Sequence, residues 1–252
     1  MINKKKMLLM LATAAISCSV AATAFAAPGK FSVKADELEY NMQTGEGKGK
    51  GHVVIMQDDG KATANYAIFN SKTKSGNLIG NVMAYKGDVQ ITCGEATLAN
   101  DDYISAFGGA IVIKEGKRLE ADRVDYYKST EFAETIGGWA RLTDADGSTL
   151  NATKIDYDMK NGIANAYGGV NIDSPARKLT ATADKAIYET KANGYVELIG
   201  NARATQDGNS VTGDKLRLTN SNVAVADGNV KIIYVPEEQP AKPVATEGQD
   251  LA

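Results

Sequence analysis

The chain reads ADRVDY at residues 121–126, ATKIDY at 152–157 and ADKAIY at 183–188, so that one phrase recurs at a spacing of 31 residues. Each copy has a small residue, then a polar one, then apolar residues two and four positions further on. Residues two apart lie on the same face of a β-strand, because successive side chains point to opposite faces. The phrase therefore predicts repeated short strands, each with one buried face.

Weaker copies of this phrase extend the repeat in both directions. The polar position falls at residues 36, 65, 95, 122, 153, 184 and 214. A second phrase follows each copy: a Gly, a small or polar residue and then an apolar one, beginning at Gly51, Gly80, Gly108, Gly137, Gly168, Gly200 and Gly228. This Gly either marks a corner where the sheet bends or merely ends a turn, and its recurrence before an apolar residue favours the corner. Repeats of this kind stack into a solenoid-like β-roll.

The N-terminus has the features of a secretory leader. Lys4–Lys6 precede the apolar run Met7–Val20, and Ala24–Ala26 supplies a small-x-small cleavage site. Cleavage after Ala26 is the favoured interpretation. The alternatives are an uncleaved anchor and lipidation at Cys18.

Charge and cysteine content limit the function and the fold. Removal of the leader takes three lysines from a chain of net charge −3 and leaves −6, which argues against nucleic acid as a partner. It also leaves Cys93 as the one cysteine, so no intramolecular disulfide stabilises the fold. We predict a signal peptide over 1–26, a repeat domain over 27–235 and a disordered tail over 236–252.

The joint pattern, A-D-x-[apolar]-x-Tyr alternating with G-[GN]-[apolar] behind a leader, resembles the OstA-like repeat of the LptA/LptC family. The resemblance covers about Phe31 to Tyr234. It implies an all-β, open twisted β-jellyroll whose apolar trough shields the acyl chains of lipopolysaccharide (its lipid A part) in the periplasm. It also implies LptC-like inner-membrane and LptD-like outer-membrane partners, and end-to-end self-association. The length of the chain leaves open a two-lobed version or a relative that carries another lipid.

The trough candidates are apolar residues that lie two positions apart within a strand and therefore share one face of the sheet. Each of them either lines a lipid trough or belongs to an ordinary core, and Trp139 is as much a core or rim anchor as a ligand contact. The candidates are Leu38, Tyr40, Val53, Ile55, Phe69, Val82, Val124, Tyr126, Trp139, Ile155, Tyr157, Val170, Ile172 and Tyr188. Arg118, Arg123, Arg141 and Arg177 could meet lipid phosphates, but solvated faces are the favoured interpretation, and no phosphate site is predicted.

The residues offer little for catalysis. His52 is the single histidine, and Cys93 is expected to be a small buried hydrophobe. The Asp pairs at 58/59, 101/102 and 144/146 are expected to form turns rather than metal or acid–base sites. GEGKGKG at 45–51 lacks the Gly-Lys-Ser/Thr ending of a phosphate loop. We therefore predict no enzyme, no catalytic residue, no metal and no cofactor.

Two other functions compete with the lipopolysaccharide carrier. One is a structural cell-envelope β-solenoid that assembles through its edge strands without binding lipid. The other is an enzyme on a β-helix of the polysaccharide-lyase kind, which is weaker because no compact carboxylate cluster recurs. The leader places the chain in the periplasm, and a retained or lipidated leader would tether it to a membrane.

Overall fold

The computed structural model describes residues 31–57, 59–99, 102–189, 195–219 and 224–235. The predicted signal peptide, Cys18 and the predicted tail lie outside the described residues, as do Asp58 and Asp101.

The described residues form 17 strands and one short 3₁₀ turn, Pro175–Arg177. None of them forms a helix long and apolar enough to cross a membrane. The strands are β1 Phe31–Lys34, β2 Glu37–Tyr40, β3 Glu46–Gln57, β4 Gly60–Asn70, β5 Ser75–Lys86, β6 Val89–Ala99, β7 Tyr103–Lys114, β8 Lys117–Tyr127, β9 Phe132–Thr143, β10 Thr149–Ala152, β11 Lys154–Asp158, β12 Ile163–Ser174, β13 Leu179–Glu189, β14 Tyr195–Gln206, β15 Asn209–Thr219, β16 Ala224–Asp227 and β17 Lys231–Ile233.

The strands pair antiparallel, each with its neighbours in the chain, to make one continuous sheet. From β3 to β9 and from β12 to β15 every strand pairs with the next. β10 and β11 share the place between β9 and β12. β1 and β2 both pair with β3 at one edge, and β16 and β17 both pair with β15 at the other. The predicted all-β, repeat-built fold is confirmed.

Tight turns join several of these strands. Asp207 and Gly208 have φ of 48° and 83°, and they connect Gln206 to its register partner Asn209. Positive φ at both central residues is typical of the two-residue hairpin turn whose twist matches that of the strands, and Asp-Gly is a preferred sequence for it.

The Gly of the second phrase is a corner, as its recurrence indicated. Two consecutive residues have positive φ at all seven copies, for example 77° at Gly200 and 46° at Asn201. Only Gly and, less readily, Asn adopt this conformation without a large steric cost, which explains the G-[GN] pattern. His52, with φ of 45°, is the exception in the first copy. The register shifts at the corner because two residues on one strand oppose one on the next.

The polar residue of the first phrase packs against this corner. A Cβ added at any of four corner glycines would collide with the Asp side chain that faces it. These pairs are Gly51 with Asp36, Gly137 with Asp122, Gly200 with Asp184 and Gly228 with Asp214. The same carboxylate accepts a hydrogen bond from the corner: Asp184 Oδ2 from Asn201 Nδ2 at 2.9 Å, for example. The two phrases therefore recur together because each corner needs both of them.

The third copy of the repeat lies one residue earlier than its sequence suggested. Gly94, which we aligned with the small residue of the phrase, instead occupies the polar position and packs on the backbone of Gly108. Cys93 takes the place of the small buried residue and is 6% exposed. At this corner a Gly–Gly contact replaces the Asp–Gly contact of the other copies. The third copy therefore has no Asp at its polar position, and without that Asp the sequence pattern does not show where the copy begins.

Candidate apolar trough

Each corner divides the sheet into two arms whose inner faces are apolar. We call the part that carries Tyr40, Tyr126 and Tyr188 the aromatic arm, and the part that carries Leu119 and Ile172 the aliphatic arm. Residues of both arms belong to the same two buried clusters, so the arms face each other across one interior.

One row of register partners crosses the inner face of the aromatic arm from one edge of the sheet to the other. Large and small side chains tend to alternate along it, and a Cβ at Gly47 would collide with the ring of Phe69. Glycine and alanine thus make room for neighbouring rings. The row is Tyr40, Gly47, Phe69, Gly76, Leu98, Ile104, Tyr126, Ala133, Tyr157, Ala164, Tyr188, Val196, Leu218 and Ala224.

The facing row on the aliphatic arm is equally continuous and carries no charged residue. It runs through Val33, Ile55, Ala62, Ala84, Ile91, Val112, Leu119, Leu142, Leu150, Ile172, Ala181, Ala204, Val211 and Ile232. The interior between the two rows is the candidate trough.

The interior is nearly closed around β8–β15. A cavity of about 80 Å³ remains there, lined by both arms: Leu119, Leu142, Leu150 and Leu179 on one side, and Ile155, Tyr157, Tyr188 and Val196 on the other. Pockets that hold small molecules measure about 300–1,000 Å³. A long apolar ligand therefore needs the two arms to separate in this region.

The trough is more open at the N-terminal edge. Leu38 and Tyr40 are 48% and 47% exposed, and Tyr40 stacks on Phe69 with ring centroids 6.2 Å apart. A groove of about 980 Å³ lies beside them, lined by polar residues such as Lys48 and Asn77 as well as by Leu98. At the C-terminal edge, Val225, Ile232 and Tyr234 are 57%, 71% and 71% exposed.

Comparison with known proteins identifies the repeat. The family model described as LptA/(LptD N-terminal domain) LPS transport protein matches residues 32–163 and 162–222, well over half of the chain. The chain belongs to this family. The LPS-transport family is one of transport proteins rather than of enzymes, in keeping with the predicted absence of catalysis.

No curated protein is similar enough to count as a match. Among solved structures, the chain is similar to LptH from Pseudomonas aeruginosa, described as the LptA-homologous periplasmic component of the lipopolysaccharide transport device. The two share 14% identity over 82% of this chain and 96% of that one, with a TM-score of 0.18.

Most of the trough candidates lie on the inner face of this LPS-transport domain. Val53, Phe69, Val82, Val124, Tyr126, Val170, Ile172 and Tyr188 are buried, and Ile55, Ile155 and Tyr157 are half-buried. Leu38 and Tyr40 are on the same face but exposed at the edge. Leu98, Leu119, Leu142, Leu150, Leu179 and Val196 were missed, although the period of two continues through both phrases and would have indicated them.

The prediction that Trp139 lines the trough is wrong, because its side chain does not face the interior. It is 44% exposed, and its Nε1 donates a hydrogen bond to Asp122 Oδ1 at 2.8 Å. In this copy the three residues Gly137 to Trp139 oppose Asp122, since Ala121 pairs with Ala140 and Arg123 with Ile136. The longer bulge shifts the parity, so Ala140 faces inward and Trp139 belongs to the corner.

The polar candidates have structural roles. His52 Nδ1 contacts Asp36 Oδ2 at 2.8 Å as part of the first corner. Burial raises the pKa of Cys93 to about 11, which keeps this thiol protonated and unreactive at neutral pH. Asp102 and Asp146 accept hydrogen bonds from Ser129 N and Ser148 N in turns, as predicted. Within the described ranges, no group of three or more His, Cys, Asp or Glu could hold a metal ion.

A buried ionic network on the outer face of β7 and β8 went unpredicted. Asp125 is 1% exposed, and its Oδ1 accepts hydrogen bonds from Ser105 Oγ at 2.6 Å and Arg123 Nε at 2.7 Å. Tyr103 Oη donates to its Oδ2 at 2.9 Å. Burial raises the pKa of Asp125, but these bonds outweigh it and hold the pKa below its usual value.

Proposed function

We propose that the chain is a periplasmic carrier that shields the acyl chains of lipopolysaccharide in the trough as the lipid moves from the inner to the outer membrane. The observation that carries the proposal is the pair of continuous apolar rows on the facing arms. Each methylene removed from water contributes about 0.8 kcal/mol, so an exposed acyl chain strongly resists crossing an aqueous space. Membership of a family of LPS transport proteins supports the same function.

The edges of the sheet support a role as a bridge. β1/β2 and β16/β17 are the outermost strands that the structure describes, and exposed apolar side chains such as Leu38 and Ile232 accompany them. Outermost strands leave backbone groups available for pairing with another chain. We propose that these edges join copies end to end and dock LptC-like and LptD-like proteins at the two membranes.

A dry structural solenoid is the second candidate, because the interior around β8–β15 is almost filled. Leu198 and Leu216 are fully buried, and the cavity between the two arms is only about 80 Å³. In this function the same edges assemble copies, and no lipid enters.

Site-specific photo-crosslinking distinguishes the two functions. Photoreactive residues placed at Tyr126 and Val170 should crosslink to intact lipopolysaccharide and not to its de-acylated form. The matched controls are Tyr127 and Asn171, the next residues along the same strands, which point to the outer face. Absence of crosslinks at both inward positions, in protein shown to be folded, would favour the dry solenoid.

A further inference from the structure

The groove beside the N-terminal edge shares lining residues with the candidate trough. It lies at the ends of strands β2 to β6 and has a volume of about 980 Å³. Tyr40, Phe69 and Leu98 line it, and all three also belong to the inner row of the aromatic arm. Each is the last or the next-to-last residue of its strand. The apolar lining of the trough therefore ends at this groove.

A row of register partners on the outer face supplies much of the polar lining of the groove. The row crosses five strands through Glu39, Lys48, Ile68, Asn77 and Thr97. Its two charged side chains are exposed, and the amide and the hydroxyl are half-buried. Within the part of the chain that the structure describes, none of these four polar side chains forms a hydrogen bond or an ion pair. Their donors and acceptors are therefore free to bond a ligand.

The same row is bonded to other side chains in the later strands, outside the groove. Three of its acids form ion pairs there: Asp125 with Arg123, Glu134 with Lys154 and Glu197 with Lys215. In the groove, Glu39 and Lys48 are register partners and form no such pair, whereas Glu37 and Lys50, the next partners on the same two strands, lie 3.4 Å apart. Unpaired polar groups thus coincide with the groove.

The lining favours a sugar over a phosphate group. Its charged residues are Glu39, Glu46 and Lys48, so carboxylates outnumber ammonium groups, whereas phosphate is recognised by clustered cations. Sugar hydroxyls donate and accept at the same time, and the row offers both donors and acceptors. Tyr40 and Ile68, which are 47% and 43% exposed, present apolar surface to the C–H face of a sugar ring.

We propose that this groove binds the sugar part of the amphiphile whose acyl chains occupy the trough. The inference rests on the proposed function. Acyl chains held against the aromatic arm place the head where the apolar row ends, which is at the strand ends that line the groove. The volume of the groove lies at the upper end of the range of about 300–1,000 Å³ for ligand pockets. Glu39 accepts hydrogen bonds from sugar hydroxyls, and Lys48 donates to them.

The test compares two lipids that share their acyl chains and differ in the core sugars. Protein purified after expression from the full chain is titrated with lipopolysaccharide that carries its core sugars and with lipid A from the same source. We expect the sugar-bearing form to bind about tenfold more tightly, as one or two hydrogen bonds to charged groups predict. The double substitution E39A/K48A should abolish this preference and leave the affinity for lipid A unchanged.

The matched control is E37A/K50A. It removes the same residue types from the same two strands, two positions along, and neither residue lines the groove. All four side chains are exposed, so both variants should fold, which thermal unfolding checks. A second measurement uses core oligosaccharide without acyl chains. It should shift the side-chain amide resonance of Asn77 and leave that of Asn171, on the outer face of β12, unchanged.

The outcomes separate this inference from the proposed function. Equal affinity of the unaltered protein for both lipids would overturn the sugar site and leave the carrier function intact. A preference that persists in E39A/K48A, or that is also lost in E37A/K50A, would likewise overturn the assignment to this groove. Binding of neither lipid would overturn the carrier function. The oligosaccharide titration then decides the sugar site alone: a shift at Asn77 supports the site, and no shift overturns it.

Discussion

The first strands and the later strands of the sheet carry the same phrase, yet they bury it differently. Leu38 and Tyr40 of β2 are about half exposed, whereas Leu216 and Tyr188, which hold the same positions in later copies, are 0% and 6% exposed. The later copies have a strand on both sides and an arm across the interior. The first copy has a strand on one side only. Burial in this fold therefore depends on where a repeat lies in the stack, as expected of a solenoid in which each repeat covers its neighbour.

Truncation of Leu38 and of its equivalent Leu216 should give the largest difference between the first strands and the later strands. We expect Leu216→Ala to lower the free energy of unfolding by about 2–5 kcal/mol, because it removes a fully buried side chain and leaves a cavity. Leu38→Ala should cost less than about 1 kcal/mol, since half of that side chain is already in water. Urea unfolding followed by circular dichroism measures both. Equal losses would mean that the exposed edge is covered in solution.

The outer-face network of β7 and β8 extends the comparison to charge. The substitution Asp125→Asn should lower the free energy of unfolding by about 1.5–3 kcal/mol at pH 7, the range for hydrogen bonds to a charged group. Because the pKa of Asp125 is lower in the folded chain than its ordinary value of 3.8, its stabilisation is present above that pH and lost as the pH falls through the folded pKa. The variant and the unaltered protein should therefore converge in acid.

The next copy of the repeat supplies the control for Asp125. Asp156 occupies the equivalent position and accepts a hydrogen bond from Asn165 Nδ2 at 2.8 Å. Among the described residues, no arginine side chain is hydrogen-bonded to it. Asp156→Asn should cost clearly less than Asp125→Asn in unfolding at pH 7. A difference between Asp125→Asn and unaltered protein that persists unchanged at pH 3 would show that the carboxylate charge is not what the network stabilises.

Two corner glycines allow backbone strain to be compared at positions with different surroundings. Gly200→Ala forces a side chain into a residue with φ of 77° and against Asp184, so we expect a loss of about 2 kcal/mol. Gly169→Ala meets the same backbone strain, at φ of 69°, but has open space around it, and should cost about 1 kcal/mol.

A double substitution separates strain from collision at the corner. Gly200→Ala combined with Asp184→Ala removes the facing side chain and should be less destabilising than the sum of the single losses, as measured in a cycle of thermal unfolding experiments. Additive losses would show that the Asp does not touch the corner.

Much of the fold could be predicted because successive side chains of a strand point strictly to opposite faces of the sheet. The parity of Tyr126 and Val170 followed from residues two apart, and both are buried on the inner face. Parity failed where a corner gained a residue: at Trp139 the bulge is longer, and a single extra residue reverses which side chain faces inward. The same sensitivity to one residue displaced the third copy, in which Gly94 lacks the carboxylate that marks the others.

Several buried polar contacts could not be predicted from local patterns. Lys117 and Asp144 lie near the ends of strands β8 and β9, and the network of Asp125 joins Tyr103 to Arg123. These contacts depend on how hairpin ends meet in three dimensions, whereas each residue alone is typical of a turn or a solvated strand face. The narrowness of the interior around β8–β15 likewise depends on the angle between the arms, which no spacing in the sequence encodes.

The last prediction concerns the edge that the comparison leaves exposed. Ile232 is 71% exposed on β17, which pairs with β15 and with no other described strand. Ile232→Lys should change the free energy of unfolding by less than about 0.5 kcal/mol, as is usual for surface substitutions. It should nevertheless weaken self-association, because a lysine at an edge strand opposes pairing with another chain. Light scattering over a range of protein concentrations measures the oligomers, and Thr182→Lys on the outer face of β13 is the control. Oligomers of unaltered size in Ile232→Lys would place the joint between copies elsewhere than this edge.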